Sequence, residues 1–551
     1  MSAQIFDNID ISVNFHGLRL KKDDLLPGIL ISGSSGSGKT VTAVNEIASQ
    51  IAMHRSDEAE RKPAIIYFVA KGQPQMDFID RLPPRRKKDV VTVSLDSDST
   101  HYLELIPVRY WADHRTAGEA AVQLLIEHQR HMSHSSDAEG NHKAFWDGQR
   151  TSILSTLAKL VCSPDGYIDT KLKMVNAPSA VISLAVRVSE FVKFLQQLSR
   201  DKVAPPSLFG PAFDSAGIKN RAALAEWLDT AVEKMRQSPS LDPERIALIE
   251  LVARNLREAD LRSPEAQEKK ALLERFYCYL SEDDKRTLKA LVDLHALSVE
   301  AMRYSTFSEL EALVTPFLSS RAYGGAGKPV SFEEVMEEGK ILIVDYPLAG
   351  TGGGSRSQMI AAALGFFAAA AARLRLRGKK KNMNALRPVF LVMDEFHLSV
   401  SRGRDEGLAK FVSICREFGV GCILAAQNLH LVSNSMGGDH ELAALAGNLN
   451  THLYFSNSCS WTNEWASRSC GESVAAGPPL AMNFDGNPEL DPLLEGAGSG
   501  AERIIEGKQF SALRRGQFVA RQNSGAVCRV DARREIQKPI VTLLGSRLGK
   551  E

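Results

Sequence analysis

The residues best suited to chemistry are Gly33 to Thr40, which read GSSGSGKT. They fit G-x-x-x-x-G-K-[ST], a phosphate-binding loop. Gly33, Gly36 and Gly38 let the backbone curl, so that its N–H groups, with Ser34, Ser35 and Ser37 between them, point inward at phosphate oxygens. Lys39 is placed to hold the β and γ phosphates, and Thr40 to ligate Mg²⁺. The context agrees. An apolar run, GILIS, precedes the loop and a helical pattern, VTAVNEIASQIA, follows it. The helix N-terminus then adds the positive end of its dipole. The ligands expected are ATP and Mg²⁺.

A second segment, PVFLVMDEFH (388–397), runs five apolar residues into Asp394 and Glu395. Asp394 is placed to complete the Mg²⁺ shell. Glu395 is placed to orient and deprotonate an attacking water. A second carboxylate directly after the first favours hydrolysis over phosphotransfer. A third segment, CREFGVGCILAAQNL (415–429), ends a helix at Gly419 and begins a short apolar strand that stops at Gln427. An amide at that strand end is suited to sensing a γ-phosphate. Arg416, near the end of the helix, is suited to reach a neighbouring subunit's nucleotide if the chain forms a ring. His397 reads as a local helix-start residue.

These side chains need a sheet to position them. Strand-like runs at 28–32, 64–70 and 90–95 alternate with helical stretches. They return at 341–346, 389–393, 421–426 and 452–455. Apolar runs of this kind, separated by helices, imply an α/β protein with a mainly parallel sheet. Between them the chain is helical in pattern. Ile153, Leu154, Leu157, Leu160 and Val161 share one stripe. The expected organisation is a core with its loop over 1–112, an inserted all-α domain over 113–330, and the second part of the core over 331–551. The order of loop, acidic strand and strand-Gln fits a RecA-like P-loop ATPase core. The apolar stretch Met359 to Ala372 is expected to be a core helix packed on the sheet.

Composition excludes several classes. The chain has 551 residues, a net charge of +1 and 44% hydrophobic residues. It is neither disordered nor uniformly basic. Its longest apolar run, 359–372, is short of the roughly 20 residues a membrane helix needs. The opening residues, MSAQIFDNIDISVNF, have no basic stretch followed by an apolar one, so no signal peptide is expected. Seven scattered cysteines without a C-x-x-C pair argue against zinc and against a disulfide framework. A soluble cytoplasmic protein is expected, and any attachment to the inner membrane would be through a partner.

With these motifs in place, the chain resembles the FtsK/HerA superfamily, and within it the TraD/TraG-like coupling proteins of type IV secretion. The resemblance rests on GSSGSGKT, VMDEFH and R-x-x-G-V before the strand ending in Gln427. It extends to SFEEVMEEGKILIVDYPL (331–348), NHKAFWDGQRTSILSTLAKL (141–160), NLNTHLYFSNS (448–458) and TNEWASRSCGE (462–472). It implies a homo-hexameric motor that uses ATP to thread DNA, or protein-bound DNA, through a pore. Relaxase and secretion-channel proteins are the implied partners. Two departures stand out. The family's usual N-terminal membrane helices are not found. Its Asp-Pro-Lys-Gly-Glu after the second strand reads here Val69-Ala70-Lys71-Gly72-Gln73, without either acid.

DNA contact is expected to be to the backbone and not sequence-specific. The candidate clusters are Arg85 to Lys88, and Arg373, Arg375, Arg377 and Lys379 to Lys381. The glycine-rich 351–357 is a candidate mobile loop. The competing reading is a nucleotide-gated adaptor that recruits protein substrates and hydrolyses slowly without DNA. A small-molecule kinase is disfavoured, since Glu395 and Gln427 favour water and a kinase needs no insertion of this size.

Overall fold

Runs of consecutive apolar residues become strands buried on both faces. Ala64–Val69, Val389–Asp394 and Val420–Ala426 are buried along their whole length. The computed structural model describes residues 11–55, 62–70, 74–95, 99–111, 114–132, 151, 154–155, 179–186, 188–189, 307–318, 320, 322–323, 327–347, 354–377, 387–399, 407–474, 501–532 and 536–541. The expected segments at 141–160 and 379–381 therefore lie almost wholly outside the described residues.

In chain order the strands are β1 (Ser12–Phe15), β2 (Leu18–Lys21), β3 (Ile29–Ser32), β4 (Ala64–Val69), β5 (Val90–Ser94), β6 (His101–Leu103), β7 (Lys328–Val330) and β8 (Ile341–Asp345). There follow β9 (Val389–Asp394), β10 (Val420–Ala426), β11 (Thr451–Phe455), β12 (Glu472–Val474), β13 (Ala501–Arg503), β14 (Gln517–Arg521), β15 (Val527–Asp531) and β16 (Ile536–Val541). Every strand expected from the sequence forms, with ends moved by a residue or so. Ten of them make one sheet, in the order β16-β15-β14-β11-β3-β10-β9-β4-β8-β5. The inner strands pair in parallel, and β14 to β16 close one side antiparallel. This is an α/β, RecA-like core. The strand that leads into the phosphate loop, β3, is separated from the acidic strand β9 by one strand, β10.

The chain divides into two compact units, residues 1–93, 334–356 and 380–551, and residues 94–333 and 357–379. In the second unit β6 pairs in parallel with β7. The His128 ring lies 2.8 Å from the Ser357 hydroxyl and edge-on to Phe317. Burial pushes His128 down to about 4, so it is neutral. Most of the apolar stretch 359–372 is buried, within the helix Gly354–Arg377. The sequence reading put it on the large sheet. From residue 357 on it groups with the second unit: a methyl added at Gly365 would meet Leu105 at 2.6 Å, and Phe366 packs edge-on against Phe332. Gly354 to Ser357, expected as part of a mobile loop, are already the first turn of this helix.

A further correction concerns the basic run Arg85 to Lys88. Arg86 is fully buried. Its guanidinium donates to Asp89 at 2.6 Å and to the carbonyls of Gly339 at 2.8 Å and Pro63 at 2.8 Å. It is a clamp between segments of the first unit and has no surface to offer DNA. Arg86→Ala is expected to orphan both carbonyls at a cost of about 1–3 kcal/mol each. Chemical denaturation of the variant checks this, with an unchanged midpoint as the contrary result.

Candidate active site

Register places the functional residues at one edge of the sheet. Ala426 on β10 is level with Ser32 on β3, and Ala425 is level with Asp394 on β9. The loop after β3, Gln427 after β10, and Asp394 with Glu395 at the end of β9 therefore emerge side by side. In open α/β sheets this carboxyl edge, at the point where the strand order reverses, is where ligands bind.

The loop Gly33–Thr40 is held by backbone contacts on both flanks. Gly33 N–H donates to the Ala426 carbonyl at 3.2 Å, and Ser34 N–H to Ser456 at 2.9 Å. Gly33 must be glycine, because a Cβ there would sit 2.5 Å from that of Phe455. Gly36 and Gly38 have φ of +78° and +96°, open to glycine at no steric cost. Past the loop, Thr40–Val44 form a wide π-type turn before the helix Asn45–Met53. Such turns recur at functional sites.

Four of the five candidate catalytic residues converge. The Thr40 hydroxyl donates to Asp394 Oδ2 at 3.1 Å. Lys39 Nζ lies 3.3 Å from Glu395 Oε1, with both side chains buried. Gln427 Nε2 donates to that same Oε1 at 3.2 Å. Glu395 has a left-handed backbone, φ +61° and ψ +45°. A non-glycine residue held there costs of order 1–3 kcal/mol, and such strain clusters at working sites. His397 Nδ1 stands 3.5 Å from Glu395 Oε2, so this residue faces the site instead of simply starting a helix.

The site fits a magnesium nucleotide on its own chemistry. Lys39 is only 5% exposed, with the Glu395 carboxylate as its counter-charge. The Ser37 hydroxyl is buried without a partner among the described residues. A hydroxyl and a carboxylate 3.1 Å apart, Thr40 and Asp394, are the hard oxygen donors that Mg²⁺ takes. Among the described residues no group of three or more His, Cys, Asp or Glu is arranged to hold a metal by itself, so the ion would depend on phosphate oxygens as well.

Arg416 is not in this cluster. It sits in the short turn Cys415–Phe418, before the amino end of β10, and is exposed. The seven residues of β10 separate it from Gln427, a rise of roughly 20 Å.

Sequence reasoning missed two supports. Asn457 donates from Nδ2 to the Gln427 carbonyl at 2.9 Å, and its Oδ1 accepts from the Ser34 hydroxyl at 3.4 Å. It ties Gln427, at the end of β10, to the start of the loop. A polar residue just past the apolar run 452–455 was the available signal. Behind the loop, Tyr67 donates to Asn45 at 2.7 Å, Asn45 to Asp77 at 2.9 Å, and Arg81 joins Asp77 to Glu46. Burial, then the nearby Asp394 charge, push the Tyr67 phenol well up, so it stays a neutral donor.

Residues 333–476 match the family model described as the type IV secretion-system coupling protein DNA-binding domain. Over these residues the chain resembles that coupling-protein domain. The match includes Asp394, Glu395, Arg416 and Gln427 and begins well after the phosphate loop. No curated protein matches the chain. Among solved structures, it is similar to the bacterial conjugative coupling protein TrwBΔN70 in complex with sulphate, at 12% identity and a TM-score of 0.47, over 96% of this chain and 91% of that one. For the complex of TrwB with a non-hydrolysable GTP analogue the values are 11%, 0.46, 96% and 91%. For VirB4 of Thermoanaerobacter pseudethanolicus they are 12%, 0.34, 94% and 93%. Among the described residues no helix is long and apolar enough to cross a membrane.

Proposed function

We propose that this protein is an ATP-hydrolysing motor of the coupling-protein type, which moves or delivers DNA or nucleoprotein through a ring. The observation that carries the reading is the meeting of Lys39, Gln427 and Glu395 on one carboxylate oxygen, beside the Thr40–Asp394 pair. Thr40 and Asp394 would hold Mg²⁺, which supplies positive charge against the phosphate oxygens. Lys39 moves its charge from Glu395 to the β and γ phosphates. Glu395, released from Lys39, orients water and takes its proton at the carboxylate. Gln427, one hydrogen bond from that carboxylate, reports whether the γ-phosphate is present and passes this to β10.

Arg416 has its place in a ring. Too far along β10 to serve its own nucleotide, it is exposed and suited to reach a neighbour's. A homo-hexamer is the proposed assembly, with DNA held by its backbone and relaxase or secretion-channel proteins as partners.

The test is ATP turnover with and without single- and double-stranded DNA at low and moderate salt. The expected result is stimulation of several-fold or more that fades with salt, since phosphate contacts release counterions. A rate indifferent to DNA refutes the DNA motor and leaves the protein-recruiting adaptor.

A further inference from the structure

On the side of the phosphate loop away from Asp394 lies a turn that no motif predicts, Arg514–Arg515–Gly516, leading into β14. The Gly516 N–H donates to the Ser37 carbonyl at 3.0 Å. A Cβ added at Gly38 would lie 3.3 Å from Gly516 N and 3.1 Å from the Thr42 hydroxyl. The turn thus rests directly on the loop. Gly516 has φ +82°, a conformation that favours glycine.

The turn is also fixed from behind. Gln517 N–H donates to the Arg514 carbonyl at 2.8 Å, and Gln517 Oε1 accepts from Arg514 N–H at 3.0 Å. The same Gln517 donates to Asp531 on β15 at 2.9 Å. Arg514 and Arg515 are both exposed. Among the described residues neither guanidinium has a hydrogen bond or ion pair. Two uncommitted cations are therefore carried on a rigid turn against the loop.

Their side of the loop decides what they face. In the sheet order, β9 and β10 lie on one side of β3, and β11 and β14 on the other. Lys39, Glu395 and Gln427 mark the first side as the γ-phosphate end. The backbone of a phosphate loop cradles the α and β phosphates while its lysine reaches β and γ. The Gly516 turn bonds Ser37 and lies beside Gly38, away from the γ end. The tip of the β1–β2 hairpin reaches the first turn after the loop, with His16 Nε2 3.3 Å from the Thr42 carbonyl.

We infer that the Arg514–Arg515–Gly516 turn is a second anion-binding element of the nucleotide site, in which Arg514 and Arg515 take the α-phosphate of a nucleoside triphosphate. This rests on the phosphate-loop reading of Gly33–Thr40. Arginine suits the task because its planar fork matches phosphate oxygens.

The test is equilibrium titration of the full chain with Mg·ADP and with a non-hydrolysable ATP analogue, following bound nucleotide directly. Arg514→Gln/Arg515→Gln is expected to weaken both ligands alike, by about tenfold or more, as loss of charge-assisted hydrogen bonds does. The loss should shrink at high salt. Arg514→Lys/Arg515→Lys should recover most of it. Affinities within about twofold of wild type overturn the inference and send the two arginines to a neighbouring subunit or to DNA. A lysine variant as weak as the glutamine one also overturns it, since charge is then not the cause. Lys39→Ala keeps the two readings apart: if it binds as wild type, the phosphate-loop reading fails; if it binds weakly while the double glutamine variant binds normally, only the inference fails.

Discussion

Lys39→Ala is expected to lower ATP turnover by about 10³-fold or more, the scale on which a positioned charge on a transferring phosphoryl group acts. Lys39 is buried, and its ammonium stands 3.3 Å from Glu395. At 5% exposure for Lys39, little water is at hand to replace that charge. The backbone cradle survives the substitution, because its bonds run through Ala426, Ser456 and Gly516 and not through the lysine side chain. Binding should therefore weaken less than turnover falls. Wild-type turnover in a folded Lys39→Ala protein would remove Gly33–Thr40 from the mechanism. The fold is checked by the unchanged far-ultraviolet circular dichroism of the variant.

How much of this was legible beforehand follows from where each signal lives. The strands β3, β4, β9, β10 and β11 were readable because parallel strands are buried on both faces and so appear as unbroken apolar runs. Lys39, Thr40, Asp394 and Glu395 were readable because local spacing alone places them at strand ends. Strands β14 to β16 were not read, because these antiparallel strands carry shorter apolar runs: β14 is QFVAR, half-buried at both ends. Arg86 was misread because a basic run looks solvated in sequence, and only tertiary structure brings the carbonyls of Pro63 and Gly339 to it. Asn457 and Gly516 were missed for the same reason. Each acts across a long stretch of chain on a loop residue, and neither sits in a motif.

Glu395→Gln is expected to separate binding from hydrolysis. The amide keeps the size of the carboxylate, so the left-handed turn at this position and the packing of Phe396 behind it are undisturbed. Two things change. The group can no longer accept a proton from water, which costs about 10²–10⁴-fold in the chemical step. Lys39 also loses its anionic partner at 3.3 Å, and its charge becomes fully available to a phosphate. Nucleotide binding should thus be as tight as in the wild type or tighter, while hydrolysis nearly stops. Direct titration with ATP beside a single-turnover assay reads both quantities. If the wild-type ring forms only with ATP, the variant should hold the assembled state, visible as a stable larger species in sedimentation. Normal hydrolysis by Glu395→Gln would move the water-activating role to another group. The nearest alternative is His397, whose Nδ1 stands 3.5 Å from the same carboxylate. Because Lys39, Gln427 and His397 all meet Glu395, this single substitution tests whether the cluster is one catalytic unit or a set of structural contacts.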